Sequence, residues 1–461
     1  MKLPAFFVSS NGVVRGITWL VTFLLLTAFW ILLLPLFSLN NLYQYLGSLG
    51  MTGTQSVITM TLLPSTILTL IGWIGLHVFT SSVASSPAVA DAANVQSSPL
   101  SKSTPTTSLT GKLRIGAWGL VTPFGDASAT VTRSRKQERA FRPDKIIRNE
   151  DGHPVHAAVV EELPLEILNY PVETRSRAMR VSAMLVTVLN TLFDQQADLA
   201  RSTTAPAKVY WLVPEALPLN NETRLSFSIA WTHSLWRNVD YDLQLLPAAT
   251  ESAYGVVNAL QQHMSPSKMP YVLLLAADSL VNPDELLTSL ALDQVFSNRT
   301  PDGFVPAEGA AGLLLVDAAY AQASELVDGC TLGTVHRGQR TEDRGTKGKL
   351  DSGTLVTCIT EAMAAAQTTA DKIGIVISDT DHRMPRSQEV IHAMEKVLPN
   401  LDPLSQRIAP MALAGSFGAA SDLIHIALAA EMAATTEQAA LFVSVANVRQ
   451  TTAMVIMPDT V

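Results

Sequence analysis

Gly303-Phe-Val-Pro-Ala-Glu-Gly-Ala-Ala-Gly-Leu-Leu-Leu-Val316 is the stretch that decides the fold. Its second half, continued as AGLLLVD over 311–317, is an unbroken apolar run of strand length. A run with no polar alternation belongs to a strand covered on both faces. Glu308, just ahead of the run, is expected to be a buried structural carboxylate supporting a turn, and not a general base.

Working outward, similar runs recur after Lys112. Strands are expected at 113–121 (LRIGAWGLV), 208–213 (KVYWLV) and 271–277 (YVLLLAA), and again at 331–335 (TLGTV), 373–378 (IGIVIS), 440–446 (ALFVSVA) and 452–457 (TAMVIM). Stretches with apolar residues three and four apart lie between them: Ser176–Leu192, Ala253–His263, Ser352–Ala366 and Ala419–Ala434. Helices alternating with doubly covered strands give a layered α/β domain. Four strands followed by four more indicate two similar halves.

Specific residues go further than periodicity. The 303–316 segment resembles the GF(I/V)PGEGAAALLL segment of β-ketoacyl synthases, members of the thiolase-like superfamily. Tyr271–Leu280 (YVLLLAADSL) resembles the strand that precedes it in that family, and Leu113–Gly125 (LRIGAWGLVTPFG) the opening strand. Gly415–Leu423 (GSFGAASDL) resembles the family's GhxxGAAG turn and helix, and Phe442–Ile456 its closing strand pair. The likeness spans 113–458 with the motifs in order. It implies a thiolase-like fold, and pairing of domains through the central sheet as a homodimer or a heterodimer.

The chemistry of that family does not carry over. Condensation needs a cysteine thiolate at the start of a helix and two histidines, or a His/Asn pair, to assist it. The matching stretch Leu246–Gly255 (LPAATESAYG) holds no cysteine, and Ala249 or a neighbour stands at the expected place. Thr250 or Ser252 could act only with a base, and no histidine lies beside them. The first family histidine falls within Ser378–Pro385, where the two glycines are missing and His382 is displaced by about two positions, which reads as an exposed loop histidine. Ser416 takes the place of the second, and His425 falls two turns into the next helix as a packing or surface residue. Cys330 and Cys358 lie in the wrong half. The resemblance therefore implies a retained fold with lost chemistry: no catalytic, cofactor-binding or metal-ligating residue is assigned. An acyltransferase with an atypical nucleophile and an acyl-chain sensor are the competing readings.

The chain carries 461 residues, a net charge of −8 and only 16% charged residues. Acidity without a long Lys/Arg run speaks against nucleic acid. Two cysteines with no CxxC speak against a disulfide framework or a zinc site. The low charge is concentrated early, with no Asp, Glu, Lys or Arg between Arg15 and Asp91. Ile17–Leu39 and Val57–Phe79 are apolar runs of 23 residues each, long enough to cross a bilayer as helices. A cleaved signal peptide would have a shorter apolar core. Lys2 and Arg15 precede the first run and the loop Asn40–Ser56 is uncharged, so the positive-inside rule returns the chain to the cytoplasm. Residues 80–110, rich in Ser, Ala, Thr and Pro, are expected to form a tether with a reach of roughly 30 Å. The expected organisation is a two-helix membrane hairpin over 1–80, a linker over 81–111 and a soluble domain over 112–461, in a bacterial inner membrane. Arg133–Asp151 (RSRKQERAFRPDKIIRNED) carries both signs and reads as a solvated loop, or as a surface for lipid headgroups or a partner.

Overall fold

Among the described residues, thirteen strands account for the layering. They are β1 (Leu113–Val121), β2 (Arg142–Arg148), β3 (Pro154–Ala157), β4 (Ala207–Val213), β5 (Tyr241–Pro247), β6 (Tyr271–Ser279), β7 (Glu308–Asp317), β8 (Cys330–Leu332), β9 (His336–Gln339), β10 (Ile373–Ser378), β11 (Arg407–Ile408), β12 (Ala439–Ser444) and β13 (Gln450–Pro458). This computed structural model describes residues 113–202, 205–264, 269–324, 329–340 and 352–459. The expected membrane runs at 17–39 and 57–79 and the tether at 80–110 lie outside the described residues. Among the described residues no helix is long and apolar enough to cross a membrane.

The main sheet runs β11-β10-β12-β13-β8-β1-β7-β6-β4-β5, with β9 also on β13; β2 and β3 form a separate hairpin. The expected two halves are explicit in it. In the first, β5, β4 and β6 are parallel, then β7 and β1 follow antiparallel. In the second, β11, β10 and β12 are parallel, then β13 and β8 follow antiparallel. The halves meet where β1 pairs antiparallel with β8, Ile115 opposite Cys330.

Helices cover both faces. Arg177–Gln195 and Asn221–Thr232 pack outside the first half, and Gly353–Ala365 and Met384–Val397 outside the second. Ala253–His263 and Ser421–Thr436 lie in the shared interior. Ser421–Thr436 is apolar nearly all round and buried from Leu423 to Ala430, as a helix packed against both halves of the sheet must be.

The small residues of the 303–316 segment set how closely these layers approach. Gly312 sits opposite Gly119 in the β1–β7 register. A Cβ on Gly312 would come within 2.6 Å of Val188 and 2.9 Å of Leu192, both on the outer helix. On Gly309 it would come within 2.9 Å of Ile424, on the interior helix. Neither face of β7 has room for a side chain at these points.

Glu308, fully buried, ties the first half together. Arg180 reaches it with Nε at 2.6 Å and Nη2 at 2.5 Å. Ser279 Oγ donates at 2.8 Å and the Val160 N–H at 2.7 Å. A buried ion pair persists when its remaining lone pairs are satisfied in this way.

Three expectations need correction. The single strand expected at 331–335 is two short ones: β8 ends at Leu332, with the Gly333 N–H still donating to the Val455 carbonyl at 2.8 Å. The chain resumes pairing at His336. The stretch 133–151 is not a loop: it finishes a helix (Ala127–Arg135) and then forms β2, with Asp144 and Ile147 turned inward. The first half also gains β5, whose polar alternation over YDLQLLP suits its place at the sheet edge.

Glu308→Ala should cost about 3–5 kcal/mol, the penalty for stranding a buried arginine. Urea unfolding of the variant measures it, and a double Arg180→Met, Glu308→Leu variant should recover most of the loss.

Candidate functional site

The helix Ala253–His263 starts just after β5, where the family comparison expects a nucleophile. Its N-cap is Ser252, so that residue, three positions beyond Ala249, stands at the helix start. Its hydroxyl accepts the Gly255 N–H at 3.2 Å. The first helical N–H, that of Ala253, faces the Asp422 carboxyl and works against the rise in its pKa. Asp422 belongs to the interior helix of the other half. A helix start attracts anions through its free N–H groups and its dipole. Here the chain sets a carboxyl of its own against it.

Asp422 is an unusual acid. Burial, and then the nearby Asp379 charge, push its pKa up to about 7; the Ala253 N–H and Arg337 oppose the rise only in part. Arg337 also lies over the Tyr254 ring at 4.8 Å. Burial raises the Tyr254 pKa in turn.

Asp379 leaves the end of β10 fully buried. It accepts from Ser444 Oγ at 2.6 Å, from the Val445 N–H at 2.7 Å and from the Ala446 N–H at 3.0 Å. Those bonds fix a carboxylate in place and occupy its lone pairs. Asp381 follows; burial would raise its pKa, but Arg383, with Nε at 2.8 Å, and Arg386, at 3.0 Å, hold it below the usual range. A cavity of about 270 Å³ opens beside these groups, lined among others by Asp379, Asp381, Arg383, Arg386, Ser416 and Asp422.

The residues weighed from sequence fall as follows. His382 lines the cavity and is half-buried, not exposed: its ring packs on Phe296 at 5.1 Å and its Nε2–H donates to the Pro301 carbonyl at 3.0 Å. Ser416 Oγ accepts the Gly418 N–H at 3.4 Å. His425 is wholly buried, Nδ1 bonded to the Ser421 carbonyl at 2.5 Å, and burial lowers its pKa. It is a packing residue. Thr250 is exposed, its hydroxyl directed to the Pro247 carbonyl at 3.4 Å. Among the described residues, no histidine hydrogen-bonds Ser252 or Thr250. Cys330 sits in β8 with its pKa pushed up by burial to about 12, and burial likewise raises that of Cys358 in mid-helix. Neither is an accessible thiolate. Asp422 was overlooked, although it stands inside the quoted GSFGAASDL motif, because the family pattern gives that position no role.

Neither a family model nor a curated protein matches this sequence. Solved structures do match. A chain of the complex described as a type II polyketide acyl-carrier protein with its ketosynthase aligns over 76% of this chain and 99% of its own, at 13% identity and a TM-score of 0.54. A β-ketoacyl synthase from Burkholderia phymatum STM815 aligns over 76% of this chain and all of its own, at 15% identity and a TM-score of 0.51. The ishigamide ketosynthase/chain length factor aligns over the same share of this chain at 16% identity and a TM-score of 0.50. The shared feature is the fold, a mixed α/β thiolase-like fold.

The raised Asp422 pKa makes a prediction about stability. A carboxyl titrating near 7 when folded and near 4 when unfolded holds its proton longer in the native state. Its contribution is therefore complete below about pH 4 and is lost as pH rises towards 7. Asp422→Asn should flatten that decline and be the more stable protein, relative to wild type, at about pH 8. Urea midpoints across this range measure it; an unchanged slope in the variant would remove Asp422 from the account.

Proposed function

We propose that this chain is a membrane-tethered thiolase-like protein that does not condense acyl groups and serves as a binding partner or adaptor. One observation carries the reading: the helix start that would activate a nucleophile has Ser252 in place of a thiol, its hydroxyl engaged by the Gly255 N–H. A developing oxyanion there would face the Asp422 carboxyl, with a second carboxylate, Asp379, close by. The two-histidine requirement also goes unmet: His382 lines the cavity with its Nε2 committed to the Pro301 carbonyl, Ser416 stands where the second would be, and His425 is walled into the core.

The partner half of the reading draws on the sheet edge. β5 ends the first half with its outer edge unpaired among the described residues, and such an edge invites another strand. Solved structures that share the fold include assemblies, with an acyl-carrier protein in one and a chain length factor in another. A second thiolase-like chain on β5, a copy or a relative, is the partner proposed. The membrane half rests on the apolar runs at 17–39 and 57–79, with the domain facing the cytoplasm because of Lys2 and Arg15.

The full chain, solubilised in detergent, should gain no mass when incubated with acyl-CoA and acyl-carrier thioesters, while co-purifying with a protein partner. A stoichiometric acyl adduct removed by Ser252→Ala would overturn the proposal in favour of an enzyme.

A further inference from the structure

The mixed charges of Arg133–Asp151 are sorted by the fold. Glu138 is engaged by Arg133 at 2.8 Å. Asp144 is turned inward, where it accepts the Ile146 and Ile147 N–H groups at 2.7 and 3.0 Å and Arg175 at 3.1 Å. Asp151 pairs with Arg299 at 3.2 Å. Arg142 is matched by Glu161, which leaves Glu150 as the one acid of the stretch without such a role among the described residues. The remaining cations, Arg135, Lys136, Arg139, Lys145 and Arg148, are all exposed, and among the described residues no carboxylate pairs with them. Ile146, 49% exposed, stands between Lys145 and Ile147 on β2.

This basic strip is out of keeping with its surroundings. The whole chain carries −8, and Lys2, Arg15, Lys102 and Lys112 against Asp91 give +3 to the first 112 residues, which leaves −11 for the rest. A net-acidic body is repelled on the whole by an anionic surface while this exposed basic strip is attracted to it, so contact through the strip is the favoured one.

We propose that the strip from Arg135 to Arg148 docks on anionic lipid headgroups, with Ile146 entering the interface; this rests on the membrane tether of the proposed function. The tether leads into the domain that carries the strip, and its reach of roughly 30 Å confines that domain to the neighbourhood of the bilayer. Confinement turns weak headgroup contacts into a populated state without further affinity. Each cation brought to an anionic leaflet favours binding about fivefold, and five of them suffice for reversible docking. The docked state faces β2 to the membrane and leaves the β5 edge to a protein partner.

The test uses the full chain carrying Ile146→Cys, reconstituted in nanodiscs and labelled with an environment-sensitive fluorophore. Cys330 and Cys358 are buried and remain unlabelled. Emission should shift to the blue in discs rich in phosphatidylglycerol and not in discs of phosphatidylcholine alone. High salt should abolish the shift, and Lys145→Glu with Arg148→Glu should reduce the docked fraction on the order of tenfold or more. Three results would overturn the proposal. Equal shifts in both lipids would remove the role of charge. No shift in a chain firmly integrated in the discs would refute docking while leaving the tether intact. A shift that requires an added acidic protein would assign the strip to that protein. A chain that fails to integrate at all would instead refute the tether, a distinguishable failure.

Discussion

Glu308 lies with no solvent contact at the head of β7, and four parts of the first half meet on its two oxygens. Arg180 brings in the outer helix, Ser279 the end of β6 and Val160 the segment after β3, while the chain of Glu308 itself continues into β7, buried along its whole length. One residue before Ser279, Asp278 accepts the Ala419 N–H at 2.9 Å. Gly418, at φ +55°, leaves no room for a Cβ against that carboxylate. The two buried acids, set on adjacent strands, thus bind the first half to itself and to the turn that starts the interior helix of the second. Burying charge is costly unless each oxygen is matched, so the surrounding geometry is tightly specified by these few groups.

That geometry delivers Asp422 to the start of the Ala253 helix. In a thiolase-like scaffold the place is suited to anionic chemistry, because helix N–H groups converge there with little water present. This chain keeps the scaffold and sets a carboxyl of its own, Asp422, against that place. The neighbouring Asp379 and the Asp381–Arg383–Arg386 cluster are likewise satisfied internally. A site whose polar groups are paired among themselves stabilises and orients the domain; it has few free donors to offer a reaction.

The scaffold was readable because it depends on local patterns. The doubly covered strands at 271–277, 311–317 and 373–378 are apolar without interruption, and Ala253–His263 was bounded to the residue. Glu308 was read correctly as structural, since an acid heading an apolar strand has no water to meet. What escaped was non-local. The sorting of charges in 133–151 depends on Arg175 and Arg299, far along the chain, and so the stretch read as a loop. The role of Asp422 depends on an N–H 169 positions earlier in the sequence, which no spacing rule reports. His382 read as exposed because nothing in its own loop announces Phe296 and the Pro301 carbonyl.

The central claim is that Asp422, set against the start of the Ala253 helix, offsets the pull of that helix start on an anion. Replacing Ser252 by cysteine puts a thiol at that place, and its alkylation rate against pH reports what the site does to a thiolate. With Asp422 present, the thiol should titrate at or above its ordinary value of about 8.5; with Asp422→Asn added, it should fall below it. A Ser252→Cys thiol that titrates well below that value while Asp422 is intact would show that the helix start is open, and would contradict the account.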